Sequence, residues 1–99
     1  MKYVVMWEPS ASRSEESGAR SLQVFGKWSP PEGATFHEFV GRIDGGGGFA
    51  VIETDDVQGL MRDALTFGAF FDWHVYPVVE IGDVAAAASE AVEFLASVS

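Results

Sequence analysis

Strand and helix patterns alternate along this chain in an order that leaves few folds open to it. Four segments rich in β-branched and aromatic residues predict strands, and segments with apolar residues at helical spacing predict helices. The order βαββαβ, followed by one more helix, predicts a ferredoxin-like α+β fold with a four-stranded antiparallel sheet and its crossover helices on one face. Strands are predicted over residues 3–7, 35–43, 49–54 and 71–79, and helices over residues 13–25, over residues 57–68 and after Asp83.

Local signals mark the ends of these elements and the order of the strands. Ser12 and Glu15 fit a capping box at the start of the first helix. Asp44 and the four glycines that follow it predict a hairpin loop, because glycine adopts positive φ without penalty. Two βαβ halves with a central hairpin predict the strand order 4-1-3-2. Pro77 agrees with the resulting edge position of the fourth strand, because proline cannot donate a hydrogen bond to a neighbouring strand.

Length, charge and residue usage narrow the possible functions. The 99 residues suit one domain over residues 1–99, and the absence of cysteine excludes disulfides and thiolate chemistry. A formal charge of -9 disfavours both nucleic acid and anionic membranes as partners. The apolar stretch at the N-terminus is too short for a signal peptide or a membrane span, so we expect a cytoplasmic protein.

Both faces of the predicted sheet are apolar. In the first strand Tyr3, Val5 and Trp7 point to one face, while Val4 and Met6 point to the other. Helices cover only one face, and a solvated second face would carry polar residues at alternate positions. We therefore expect a homodimer in which the second faces of two sheets pack together. The alternative is that the C-terminal helix folds back over that face within one chain.

The central hairpin decides which residues lie on which face. A four-residue loop over residues 44–47 would set Val40 opposite Val51 and Glu38 opposite Glu53, whereas a loop one residue longer would change the strand pairing. In the four-residue register the helix-covered face carries His37, Phe39, Gly41, Ile43, Ala50 and Ile52. The predicted dimer face then carries Phe36, Glu38, Val40, Arg42, Phe49, Val51 and Glu53.

Several segments of the chain, residues 2–7, 30–33, 41–42, 48–55 and 71–78, have a distinctive order and spacing. Together they resemble a bacterial family that is known as domain of unknown function 3303, and the resemblance extends over nearly the whole chain. The resemblance implies the dimeric α+β barrel class, in which two ferredoxin-like sheets pair. Cofactor-independent monooxygenases, haem-degrading enzymes and small-molecule sensors belong to that wider class, but the family supplies no catalytic residues to carry over.

His37 and His74 are the only histidines of the chain. With Asp72 or Glu38 they could form a two-histidine, one-carboxylate metal site. However, the second and fourth strands lie at opposite edges of the predicted sheet, about 14 Å apart at ~4.8 Å per strand, so we predict no metal site. Asp72, His74 and Tyr76 alternate along the fourth strand, which fits either an acid–base row or an ordinary solvent-facing edge.

Aromatic residues, 13% of the chain, are the candidates for a ligand pocket between sheet and helices. Packing in the core and in a dimer interface would explain the same residues. The aromatic residues that could line such a pocket are Tyr3, Trp7, Trp28, Phe36, Phe39, Phe70, Phe71, Trp73 and Tyr76. With the two histidines included, the main candidates for the pocket are Tyr3, Trp7, His37, Phe39, Trp73, His74 and Tyr76.

Two functions remain open from the residues alone. The first is a homodimeric domain that binds or senses a small apolar or aromatic molecule without turnover and without a cofactor. The second is a cofactor-independent enzyme of monooxygenase or isomerase type that acts on a flat apolar substrate and uses a strand histidine as proton acceptor. The absence of a convergent polar cluster favours binding, or a structural role, over catalysis.

Overall fold

The computed structural model describes residues 1–98 and has the predicted order of elements, βαββαβα. All four strands pair antiparallel in the order β2-β3-β1-β4, which confirms the predicted 4-1-3-2 arrangement with Pro77 in an edge strand. The elements are β1 (Lys2–Pro9), α1 (Glu15–Lys27), β2 (Thr35–Gly41), β3 (Gly48–Glu53), α2 (Val57–Phe67), β4 (Phe71–Val78) and α3 (Ile81–Ser97).

The first helix begins later than the sequence predicted. Ser14 is the N-cap: its hydroxyl accepts from the Ser17 backbone N–H at 3.1 Å, and Ser17 Oγ accepts from the Ser14 N–H at 2.9 Å. The predicted capping box of Ser12 and Glu15 is therefore wrong. Ser12 instead lies in the preceding turn, where its backbone N–H donates to the Ser10 hydroxyl. A reciprocal serine pair satisfies the same orphan donors as a serine–glutamate box.

The register of the central hairpin also differs from the prediction. Val40 pairs with Phe49 and Glu38 with Val51, two residues away from the predicted partners, because the turn closes through the Arg42 N–H and the Gly47 carbonyl at 2.8 Å. Since the shift is an even number of residues, Glu38, Val40, Phe49, Val51 and Glu53 keep the predicted face.

An irregularity between Phe36 and Glu38 corrects the predicted faces of two residues. Phe36 pairs with Ile52 and so lies on the helix-covered face. His37 reaches Glu53 on the opposite face, with 2.8 Å between Nε2 and Oε1. A β-bulge adds one residue to one strand, and this exchanges the faces of the residues beyond it.

The helix-covered face of the sheet holds the core. Val5, Ala50 and Ile52 are buried at its centre, and Leu60 of α2 packs against them. α2 is positioned by Asp56, whose carboxylate caps the helix by accepting from the Gly59 N–H at 2.9 Å. The other face of the sheet, called the open face below, carries Val4, Met6, Val40, Phe49, Val51, Tyr76 and Val78 at its apolar positions.

The C-terminal helix does not cover the open face. Every described residue of α3 is exposed, including Ile81 at 81% and Leu95 at 68%, and the molecule measures 60 × 31 × 23 Å because this helix projects from it. The alternative in which α3 folds back over the sheet is therefore wrong for this protomer. In residues 1–98 no helix has the length and apolar character needed to cross a membrane.

Candidate functional site

A cavity of about 440 Å³ lies between the sheet and the two crossover helices. β1 contributes Val5 and Trp7 to its wall, while β3 contributes Ala50 and Ile52. Leu22 and Phe25 of α1 and Phe39 of β2 belong to the wall and are also exposed, which places an opening between α1 and the edge strand β2. The second helix, α2, completes the wall with Leu60, Ala64 and Phe67.

Aromatic rings form a continuous network around this cavity. The Trp7 ring lies 5.4 Å from Trp73 and 5.8 Å from Phe39, measured between centroids. Phe67 of α2 is 7% exposed, and its ring lies 6.3 Å from that of Trp73 in β4 and 6.4 Å from that of Phe25 in α1. It therefore connects the rings of the sheet with those of α1. Rings at 5 to 6 Å present both faces and edges, which suits contact with a flat apolar molecule. The network contains Trp7, Phe25, Trp28, Phe36, Phe39, Phe67, Phe71 and Trp73.

Several polar groups of the wall are engaged by the backbone of their own elements. The buried Ser21 hydroxyl donates to the Gly18 carbonyl at 2.7 Å. Thr54 Oγ1 accepts from the Asp56 N–H at 3.0 Å, and the Asp56 carboxylate caps α2. These groups hold the wall in place, so they are poorly suited to proton transfer with a ligand.

Two indole N–H groups of the wall stand apart from this pattern. Nε1 of Trp28 and Nε1 of Trp73 are both buried, and neither has a hydrogen-bond acceptor among residues 1–98. An unsatisfied buried donor costs about 1–3 kcal/mol. They are therefore the polar groups of the wall that gain most from an acceptor.

The structure divides the candidate pocket residues between the two faces of the sheet. Trp7, Phe39 and Trp73 meet in the cavity wall. Tyr3 lies on the same face of β1, opposite Ile52, but is not part of the wall. The remaining candidates, His37, His74 and Tyr76, lie on the open face.

Sequence reasoning missed two members of the aromatic network. Phe67 was left out because the apolar stripe that the sequence predicts for α2 consists of Val57, Leu60, Met61, Ala64, Leu65 and Gly68. In the structure Met61 and Leu65 are 56% and 78% exposed. The i, i+4, i+7 series from Leu60 would have found Phe67. Phe25 lies on the face that helical spacing predicts for the first helix, with Gly18, Ala19 and Leu22, but it was not assigned to a pocket.

Each histidine of the open face has a carboxylate neighbour on the adjacent strand. The His37 Nε2–H donates to Glu53 Oε1 at 2.8 Å, and this hydrogen bond lowers the pKa of Glu53 below its usual range. His74 Nε2 lies 3.6 Å from Glu8 Oε1, and its ring stacks on Tyr76 at 6.4 Å. Within residues 1–98 no three histidine, aspartate or glutamate side chains come close enough to hold a metal ion.

The fold and the cavity place this chain among small ferredoxin-like α+β domains with a space between sheet and helices. The profile of the family described as domain of unknown function (DUF3303) matches residues 1–92, and the chain belongs to that family. Neither the curated proteins nor the solved structures contain a match to this chain.

Proposed function

We propose that this protein is a homodimeric domain that binds or senses a small, flat, apolar molecule in the cavity between its sheet and helices. The observation that carries the proposal is the aromatic cavity of about 440 Å³. Pockets for small molecules have volumes of about 300–1,000 Å³ and mostly apolar walls with a few polar groups. This cavity fits both criteria.

The volume of the cavity argues against ordinary loose packing. Protein interiors are packed to a density near that of organic crystals. A closed apolar void costs ~24 cal/mol per Å³, so a void of this size would cost about 10 kcal/mol, close to the whole stability of a small domain. The cavity here is open to solvent at one side, which lets a ligand enter and replace the missing packing contacts.

The placement of the histidines favours binding over catalysis. The enzyme hypothesis used a strand histidine as proton acceptor, but His37 and His74 lie on the open face, and none of the described wall residues is a histidine. A general base must come within hydrogen-bond reach of the proton that it removes. A ligand in the cavity is separated from both imidazoles by the sheet.

The open face supports the homodimer. Phe49 and Tyr76 are 41% and 51% exposed in the protomer, and α3 leaves them uncovered. If each face buries roughly 600 Å² of apolar surface, the gain is on the order of 15 kcal/mol per subunit before association costs of about 4–15 kcal/mol. Two copies packed through this face would thus form a stable pair.

Native mass spectrometry of the freshly purified full chain tests both halves of the proposal at once. A peak at twice the protomer mass of 10.7 kDa supports the dimer, and a co-purified adduct identifies a ligand. The neutral dye Nile red then measures occupancy of the cavity by its fluorescence.

A pair of identical substitutions locates the dye. Ala64→Leu adds bulk to the cavity wall, whereas Ala19→Leu adds it to an exposed position of α1 outside the wall. Nile red binding that falls at least tenfold in Ala64→Leu alone supports the cavity. No binding by the wild type, or equal loss in both variants, would contradict it.

A further inference from the structure

Among the wall residues, the buried polar side-chain atoms that lack partners within residues 1–98 are donors. Buried Nε1–H groups of Trp28 and Trp73 have no acceptor within residues 1–98, whereas the hydroxyls and the capping carboxylate of the wall are engaged by backbone. Tryptophan N–H can donate but cannot accept. A ligand that satisfies these groups must therefore bring an acceptor.

The charges of the wall restrict the ligand further. Asp56 and Asp63 are its ionisable members, and the described part of the wall includes no lysine, arginine or histidine. The whole chain carries a formal charge of -9. A carboxylate or phosphate placed here would lose its hydration without gaining a cation, which is a large cost in an apolar site.

We propose that the cavity selects neutral ring compounds that carry a hydrogen-bond acceptor such as a ring ketone, with the Trp28 or Trp73 indole N–H as its donor. This inference rests on the proposed function and adds the chemical class of the ligand. The rings of Trp28 and Trp73 lie 6.2 and 6.3 Å from that of Phe67, so both candidate donors belong to the same part of the aromatic network.

Ligand entry must also move an indole ring. Neither Nε1 atom is accessible to solvent. A ligand oxygen can therefore accept from one of these N–H groups only if the indole ring changes its orientation when the ligand binds. All three tryptophans of the chain, Trp7, Trp28 and Trp73, belong to the wall. Intrinsic tryptophan fluorescence therefore reports on the cavity alone, with no signal from elsewhere in the protomer.

Three probes built on the same three-ring system test the class of ligand on the full-length wild type. 9-Fluorenone carries a ring ketone, fluorene has a methylene group in its place, and fluorene-9-carboxylate carries a charged carboxylate group on the same carbon. Without a hydrogen bond the ketone would bind more weakly than the hydrocarbon, because it loses hydration on entering an apolar site. With a hydrogen bond from an indole, we expect fluorenone to bind about tenfold more tightly than fluorene, and the carboxylate most weakly.

Substitutions of tryptophan by phenylalanine identify the donor. Trp28→Phe and Trp73→Phe each remove an N–H and keep an aromatic ring, and the combined variant should lose the preference for fluorenone over fluorene. Trp7→Phe is the matched control, because Trp7 lies in the wall but its Nε1 is not one of the unsatisfied donors. This variant should bind fluorenone and fluorene more weakly by the same factor. A shift of the fluorenone C=O stretch to lower frequency on binding gives a direct readout in the wild type, which needs no variant to fold.

The outcomes separate this inference from the proposed function. Fluorene that binds as tightly as fluorenone, or a carboxylate that matches the ketone, overturns the ligand class and leaves the apolar cavity in place. Failure of all three probes to change tryptophan fluorescence or release heat in calorimetry counts against the binding function itself. Tighter binding of fluorenone, with the preference lost in the combined Trp28 and Trp73 variant and kept in Trp7→Phe, supports the inference.

Discussion

Replacing Val51 with lysine separates the stability of the protomer from that of a dimer formed through the open face. Val51 lies on the inner strand β3, opposite Val4 on one side and Glu38 on the other. Glu53 follows two residues later on the same face. In a single protomer the new ammonium group is solvated and lies near two carboxylates, so we expect a change in the free energy of unfolding within about 0.5 kcal/mol.

In a sheet-to-sheet dimer the same substitution buries a charge in each subunit. An unpaired buried charge costs several kcal/mol, about 3–5 for each ion. Because the symmetry of a homodimer introduces the change twice, the loss of association free energy is about 6–10 kcal/mol if the carboxylates offset little of it. At 1.4 kcal/mol per tenfold change, the dissociation constant should rise by at least about ten thousand-fold.

Light scattering during size-exclusion chromatography measures this directly. The wild type should elute at twice 10.7 kDa at micromolar concentration, and Val51→Lys should elute at the protomer mass with an unchanged circular dichroism spectrum. Gln23→Lys, on the exposed surface of α1, is the control and should remain dimeric. A monomeric wild type, or a lysine variant that stays dimeric, would refute the assignment of the open face as the interface.

Three further substitutions test the protomer itself. Phe67→Ala should lower the free energy of unfolding by about 3 kcal/mol in urea titrations because it removes a buried ring. The control Leu65→Ala, at a side chain that is 78% exposed, should change the free energy of unfolding by less than ~0.5 kcal/mol. Similar losses in the two variants would show that Phe67 is not in the core. Gly47→Ala should cost at least about 2 kcal/mol, since its φ of +114° disfavours a side chain and a Cβ would collide with the backbone of β1; an unchanged urea midpoint would contradict this geometry. Because the folded-state pKa of Glu53 lies below its ordinary 4.5, the ionised carboxylate stabilises the fold above that pH, and this contribution is lost as pH falls through the lowered pKa. His37→Phe should return the pKa of Glu53 toward 4.5 in an NMR titration of its carboxyl carbon, and a value that stays low would assign the shift to another cause.

The proposed ligand binding and the proposed dimerisation would make different demands on the two faces of the sheet. The helix-covered face carries the cavity and its tryptophans, and the open face carries the paired histidines and carboxylates. Successive side chains of a strand point to opposite faces, so neighbouring positions such as Ala50 and Val51 would serve separate roles under this proposal. We therefore expect substitutions at such neighbours to change ligand affinity and dimer affinity independently.

The amino-acid sequence determined the order of the elements, the order of the strands and the edge position of Pro77. These features follow from local patterns: the period of the apolar residues, the glycine run and the missing N–H of proline. Trp7, Phe39 and Trp73 could be named as pocket candidates because their alternation in the strands was already visible. Each of these properties depends on residues that are close together along the chain.

The tertiary structure alone decided the bulge at His37, the part of α2 that faces the sheet and the direction of α3. A bulge depends on hydrogen bonds with the partner strand, which a single strand pattern does not encode, and it placed Phe36 rather than His37 on the cavity side. The rotation of α2 about its axis brought Phe67 inward and left Leu65 outside, because packing against the sheet selects one of several apolar stripes. The apolar face of an amphipathic helix such as α3 is stabilised by packing against another surface, but the sequence of the helix does not specify that surface. In the protomer the sheet does not cover α3.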